Sequence, residues 1–381
     1  MIGSWPAACM ILAAISISQL VLDEIAWSPG DPGTGAPSFS DRHADPGMAV
    51  HCAFTPACAH GGDRQGGWRN SRMSDDIPYN KTFDLVPGRA AQVAPLVRAI
   101  VANNPSPYTF KGTVSYIIGR GKVAILDPGP DDDAHIAALL DAVRGETVTD
   151  IFVTHTHRDH SPAVPKVKAA TGATVYAEGP HRPARPLNIG EAGRLDASAD
   201  LDFRPDVALA DGDVVTDDGF TIEAVTTPGH TANHMAYAFK EANLVFSGDH
   251  VMAWSTSIVA PPDGAMSDYM ASLAKLGRRG EPVYLPGHGG PVRDAPRFVQ
   301  HYIRHRQSRE ASILRRLGKG AADIPTLVRA IYIGLDPRLV GAAALSVLAH
   351  LEDLVARGVV ATEGVPAMGG VYRLADVPLP A

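Results

Sequence analysis

A chain of 381 residues, 45% hydrophobic and 20% charged, is long enough for two domains with real cores and too apolar to be disordered throughout. Its formal net charge of −7 excludes broad nucleic-acid binding through a basic surface. All three cysteines precede residue 73, so the rest of the chain has neither a disulfide framework nor a thiol nucleophile.

The first 72 residues stand apart in composition. They hold Cys9, Cys52, Cys58 and three of the four tryptophans, and no lysine occurs before Lys81. Turn formers crowd residues 28–37 and 61–67 with no apolar period through them. Residues 7–22 are apolar and uncharged, but no basic residue precedes them and no A-x-A site follows, and the run is short for a membrane span. The expectation is a disordered or mis-assigned extension at 1–72, a catalytic domain at 73–308 and a small domain at 309–381, in a cytoplasmic protein with no membrane partner.

From Met73 short β runs alternate with helical stretches. Strands are expected at 114–118, 123–126, 151–154, 221–226, 235–239, 244–247 and 283–285. Ile136, Leu139, Leu140 and Val143 fall on one helical face. Ser161 reads as an N-cap with Pro162 at the first helical position, and Ser267 as the cap of a helix running to about Leu276. A long helix follows Pro296, with Phe298, Tyr302, Ile313 and Leu317 roughly in phase. Two further helices at 325–332 and 339–356, a C′ glycine at Gly358 and two short strands at 359–361 and 371–374 make a winged-helix pattern.

The chemistry concentrates in Thr154-His155-Thr156-His157-Arg158-Asp159-His160. Imidazole nitrogens and carboxylate oxygens are the ligands zinc takes where no thiolate is offered. The run begins where a buried strand ends, so a rigid sheet holds the ligands while solvent still reaches them. His230, Asp249 and His288 share that placement, each one residue beyond a glycine that lets the backbone turn sharply after a strand. His234, four residues past His230, and Trp254, in the segment after Asp249, are candidate substrate contacts. His250 is expected to point away from Asp249, and His135, His181, His301, His305 and His350 to be surface or packing residues.

The order HxHxDH…H…D…H resembles the metallo-β-lactamase superfamily over about residues 110–292. The resemblance implies an α/β fold, an αββα sandwich with metals at one edge. By the same resemblance His155, His157 and His230 hold one divalent cation, Asp159, His160 and His288 hold a second, and Asp249 bridges them. Zinc suits these ligands, and manganese or iron is served by the same set. Two such cations about 3.5–4 Å apart share a water and lower its pKa towards ~7; the hydroxide then attacks a carbonyl or phosphorus centre while Asp159 orients it and shuttles its proton.

The short stretch between Asp249 and His288 leaves no room for a large inserted cap, and an intact His157 sets the chain apart from the flavin-linked di-iron branch. The C-terminal pattern resembles the lactamase-β-like group, which implies either a hydrolase of esters or thioesters (glyoxalase II-like or acyl-thioesterase-like) or an endoribonuclease of single-stranded RNA. Residues 301–381 carry ten Arg or Lys against seven Asp or Glu. The presumed recognition helix has Arg338 and Arg357 at its ends with Glu352 and Asp353 between them, not the clustered cations that phosphates need. The expected reading is therefore a small-molecule ester or thioester substrate, with RNA second, and a tail that packs over the active-site mouth or forms a homodimer contact.

Overall fold

The computed structural model describes residues 77–188, 191 and 198–376; the extension expected at 1–72 lies outside them. Among the described residues one sheet has seven strands in chain order: β1 (Ala91–Ala94), β2 (Val97–Val101), β3 (Val114–Arg120), β4 (Lys122–Leu126), β5 (Thr147–Phe152), β6 (Thr174–Ala177) and β7 (Val207–Ala208). The second has six: β8 (Val214–Asp217), β9 (Phe220–Thr226), β10 (Met235–Phe239), β11 (Leu244–Gly248), β12 (Val283–Pro286) and β13 (Val292–Arg293). Pairing is antiparallel from β1 to β4 and from β8 to β11, and turns parallel at β4–β5–β6–β7 and at β11–β12.

Three apolar layers hold the body together. Between the sheets, Tyr116, Leu126 and Phe152 meet Phe220, Tyr237 and Phe246. Over the first sheet, Ile117 and Ile125 pack on Leu139 of α1 (Asp133–Ala142) and Val167 of α2 (Val164–Thr171). Over the second, Val245 and Tyr284 pack on Leu273 of α3 (Met266–Leu276) and Phe298 of α4 (Ala295–Leu317). This is the expected αββα sandwich. Strands such as β3 and β10 are buried on both faces, which is why they read as continuous apolar runs.

The far half of α4 leads into a winged helix made of α5 (Ile324–Ile331), α6 (Val340–Ala356) and a three-stranded sheet of β14 (Ala322–Asp323), β15 (Val360–Thr362) and β16 (Val371–Leu374). Ile313, Leu327, Leu348, Leu351 and Tyr372 form its core, and Gly358 takes the positive φ of a C′ glycine. With the turn before it, α6 spans 20 residues that include an 18-residue window of mean hydropathy 1.6, long and apolar enough for a membrane span, yet half of that window is buried in the protein. It has two packing faces. One fills the winged-helix core; the other sets Ala349 into the layer beneath the second sheet and pairs Glu352 with Arg185 of the catalytic body at 2.6 Å.

Two helix starts differ from expectation. Helix α2 begins at Val164 with Pro165 in its first turn, because Ser161 donates its hydroxyl to Asp200 (2.7 Å) instead of capping. Helix α3 begins one residue before Ser267, and its N-cap is Ala265, whose side chain makes no capping bond.

Candidate metal centre

Every candidate ligand lies just past a strand, at one edge of the two sheets. The chain leaves β5 at Phe152 and delivers His155, His157, Asp159 and His160; the ends of β9, β11 and β12 deliver His230, Asp249 and His288. Two glycines make the convergence possible. Gly229 has φ +137° and lies so close to the start of α3 that a Cβ would fall 2.3 Å from Tyr269 Cα. A Cβ on Gly287 would fall 2.5 Å from Asp249 Oδ1 and 2.7 Å from His160 Cε1.

The donors form two facing groups. His157 Nδ1 lies 3.1 Å from both His155 Nε2 and His230 Nε2, close to the separation of about 3.3 Å between ligands of a tetrahedral zinc with Zn–N bonds of about 2.0–2.1 Å. His288 Nε2 lies 3.2 Å from Asp159 Oδ2, and His160 Nε2 lies 3.4 Å from the same oxygen. Asp249 faces both groups, with Oδ2 3.2 Å from His288 and 3.7 Å from His230, and Oδ1 3.6 Å from His160. The donors of each trio, His155–His157–His230 and Asp159–His160–His288, lie within 4.8 Å of one another. His160 Nε2 and Asp249 Oδ1 are buried and hydrogen-bond to nothing, which is how donors aimed at a cation look.

A second set of side chains fixes each ring. Asp127 can only accept, so His160 Nδ1 donates to its Oδ2 at 3.0 Å and Nε2 keeps its lone pair for the site. The same carboxylate accepts from the Thr154 N–H and hydroxyl, both at 2.7 Å, and Thr154 Oγ1 stands 3.0 Å from His155 Nδ1. Asp263 takes His157 Nε2–H at 3.2 Å, His230 Nδ1 donates to the Ile258 carbonyl at 2.6 Å, and the Thr113 hydroxyl donates to Asp159 Oδ2 at 2.8 Å.

The electrostatics suit positive charge at the centre. Burial, then neighbouring imidazoles, push His155 well down and His230 to about 4, so both are neutral donors. Burial would raise the carboxyls of Asp159 and Asp249, yet the adjoining His160 and His288 hold both well below the ordinary carboxylate range. Those carboxylates in turn override the burial of His288 and lift it to about 10.

The remaining sequence candidates separate. Trp254 lines the cavity above the centre, its ring stacked on Phe110 with centroids 4.9 Å apart. His234 does not line it. Its ring lies beneath the site, where Nδ1 meets Thr227 Oγ1 at 2.8 Å and Nε2 accepts the Asp249 N–H at 3.2 Å. Spacing by four from His230 suggests proximity, but His234 continues the β9–β10 ladder and so points into the core. His250 turns away from the donors and rests on Tyr269. His181 is more than packing: its ring is buried, Nε2 lies 2.8 Å from Asp263, and it thereby braces the acceptor of His157. Asp127 and Asp263 were missed in sequence. Asp127 carries the same signature as the ligands, the first residue after a strand with Pro128-Gly129 behind it; Asp263 follows two prolines in a loop and has none.

The centre forms the floor of a cavity of about 950 Å³. The loop from Trp254 to Asp263 makes part of its lining, and His305, Arg306, Leu335, Leu339, Ala342 and Leu345, from α4 and the winged helix, make an adjoining wall.

Comparison with known proteins places this arrangement. The profile of the metallo-beta-lactamase superfamily matches residues 108–288, and that of the beta-lactamase associated winged helix domain matches 324–366. The beta-lactamase-like protein 2 homolog of Drosophila melanogaster is 31% identical over 288 residues, covering 72% of this chain and 92% of the relative. The chain belongs to the metallo-β-lactamase superfamily. A lactamase-like protein of Aspergillus niger is 28% identical over 298 residues, 70% of this chain and 86% of its own. A metallo-beta-lactamase family protein from Thermus thermophilus superposes with a TM-score of 0.60 at 23% identity, over 74% of this chain and 99% of that one, and a beta-lactamase domain protein from Burkholderia ambifaria with 0.61 at 20%, over 77% and 96%. These two share the fold. As a member of the superfamily the protein is a metal-dependent hydrolase, and its His/Asp clusters are of the kind that bind divalent metals there.

Proposed function

We propose that the protein hydrolyses a small ester or thioester with two divalent cations, zinc by the chemistry of the donors. His155, His157 and His230 would hold one, Asp159, His160 and His288 the other, and Asp249 both. The unpartnered buried donors and the donor spacings fit such a pair. When bound, two cations supply Lewis acidity towards the acyl oxygen and a water acidic enough to attack near neutral pH.

The chain's own residues do the rest. Asp159, held by Thr113 and opening on the cavity, orients the attacking water and accepts its proton at the carboxylate. Water oxygen joins the acyl carbon, the C–S or C–O bond breaks, and the leaving sulfur or oxygen takes up a proton. The products are a carboxylate and a thiol or alcohol. Trp254 and the apolar wall exclude bulk water from the acyl portion.

The observation that carries the ester or thioester reading over RNA cleavage is the placement of α6. Helix α6, which a nucleic-acid-binding winged helix would present to a groove, here lies against the catalytic body and lines the cavity with Ala342 and Leu345. The test is kcat/KM of the zinc-loaded enzyme for a panel of acyl thioesters and for labelled single-stranded RNA across a salt series. Thioester turnover should dominate and vary little with salt. RNA turnover that wins by orders of magnitude and falls steeply as salt rises would reverse the assignment.

A further inference from the structure

One charged side chain in the cavity has no role in the hydrolytic machinery. Arg306, on α4, is 3% exposed, and that remnant opens on the cavity. Its Nη2 donates to the Ser257 carbonyl, its guanidinium lies 5.0 Å above the Tyr269 ring, and its Nε has no hydrogen-bond partner. Among the described residues no carboxylate pairs with it. The other arginines drawn into this body are treated differently: Arg185 is clasped by Glu191 and Glu352, and Arg279 by Glu223 and Glu281. A buried cation without an anion carries a large desolvation penalty that a carbonyl and one aromatic face offset only in part.

The surroundings keep that charge available. Of the acids lining the cavity, Asp159 and Asp249 belong to the metal cluster and Asp263 is taken up by His157 and His181. The imidazoles around Arg306 cannot share its charge. Burial first, helped by the guanidinium, pushes His305 and His350 each to about 3, so both are neutral at physiological pH. Arg309 adds a second guanidinium to the same wall, 4.7 Å over Tyr332. The spot is also tied to the reaction centre, because Ser257 and Ile258 offer successive carbonyls, the first to Arg306 and the second to His230.

We propose that Arg306 is an anion-binding subsite, and that the substrate carries a carboxylate or phosphate group remote from the bond that is cleaved. This rests on the hydrolase reading for the identity of the reaction, not for the binding of the anion. A guanidinium whose Nε–H has no protein partner has a donor left for either group. Apolar walls receive the chain between the two ends of the substrate, and the fixed charge sets which end enters first.

Binding is read first by thermal shift and calorimetry on the full-length metallated enzyme, with glutarate, inorganic phosphate and the neutral isostere glutaramide. The wild type should bind one of the anions, and the stronger of the two names the group. Arg306→Met should weaken that binding at least tenfold, while glutaramide binds neither protein. Coordination of the probes by the metals is common to both proteins and cancels in the comparison. Equal anion binding by wild type and variant, or glutaramide binding as well as glutarate, overturns the subsite.

Should Arg306→Met not fold, the wild type alone decides, through kcat/KM for glutaryl and glutaramyl thioesters of the same thiol. A tenfold or greater preference for the acid supports the subsite, and parity overturns it. If neither thioester is hydrolysed the reaction assignment fails, while the binding comparison still reports on Arg306.

Discussion

Asp127→Asn isolates how a side chain that is not itself a candidate metal ligand prepares one that is. Asp127 is fully buried and has φ +49°, a conformation asparagine adopts as readily, so the backbone is unaffected. The amide oxygen can still accept the Thr154 N–H now held at 2.7 Å. The new NH2 group, however, faces His160 Nδ1, which at present donates at 3.0 Å. To avoid two opposed donors, the imidazole moves its proton to Nε2, the atom 3.4 Å from Asp159 and 3.6 Å from Asp249. The ring keeps its place and loses its lone pair towards the cation. Substitutions that disturb such outer partners cost about 10–100-fold in metal affinity, or about 1.4–2.7 kcal/mol. Folding should suffer less, by about 1 kcal/mol, since mainly the Thr154 hydroxyl loses an acceptor. The assay is competition with a chromophoric chelator, alongside thermal unfolding. One metal equivalent should weaken by that factor while the other holds. Unchanged affinity for both would refute the tautomer reasoning, and loss of the fold would show that Asp127 acts mainly in the core.

Three further outcomes follow from the geometry. Asp159→Ala should lower kcat by orders of magnitude with little change in Tm, because the side chain sits at the sheet edge and opens on the cavity; kcat within a factor of ten of wild type would remove it from the mechanism. Gly287→Ala should cost at least tenfold in metal affinity by displacing Asp249 and His160, whose atoms stand 2.5 and 2.7 Å from the added methyl, as read by metal content after dialysis. His350→Leu should stabilise the protein by about 1 kcal/mol in denaturant titration, because both ring nitrogens are buried without partners. It should also flatten the acid limb. Burial holds His350 to about 3, so below the usual pKa of about 6.5 the unfolded chain binds a proton that the native one refuses, and stability falls from there towards pH 3. A stability–pH curve identical to wild type would count against this reading.

The sequence disclosed much of the site and less of what holds it. The seven candidate donors, which the fold brings together, are legible because each is chemically distinctive and each follows an apolar run, and the strands at 235–239 and 371–374 appear at the expected bounds because period and turn residues agree there. Ser161-Pro162 misled because a serine before proline signals a cap only when its hydroxyl has no better acceptor, and Asp200, thirty-nine residues on, is one. His234 and His181 were ambiguous for a related reason: a histidine beside a metal site and one inside it carry the same letter. Only the path of the chain, which turns His234 under Asp249 and brings Asp263 between His157 and His181, separates them. Arg306 gave no signal at all, since its isolation is a property of what fails to fold near it.

Helix α6 completes the hydrophobic interior of the C-terminal unit with one side and walls the reaction chamber with the other. Substitutions along that helix should therefore change which molecules are admitted without touching a candidate metal donor. Transplanting residues 324–366 between relatives should shift which apolar portions fit the chamber, while Arg306, Trp254 and the candidate metal donors stay with the host.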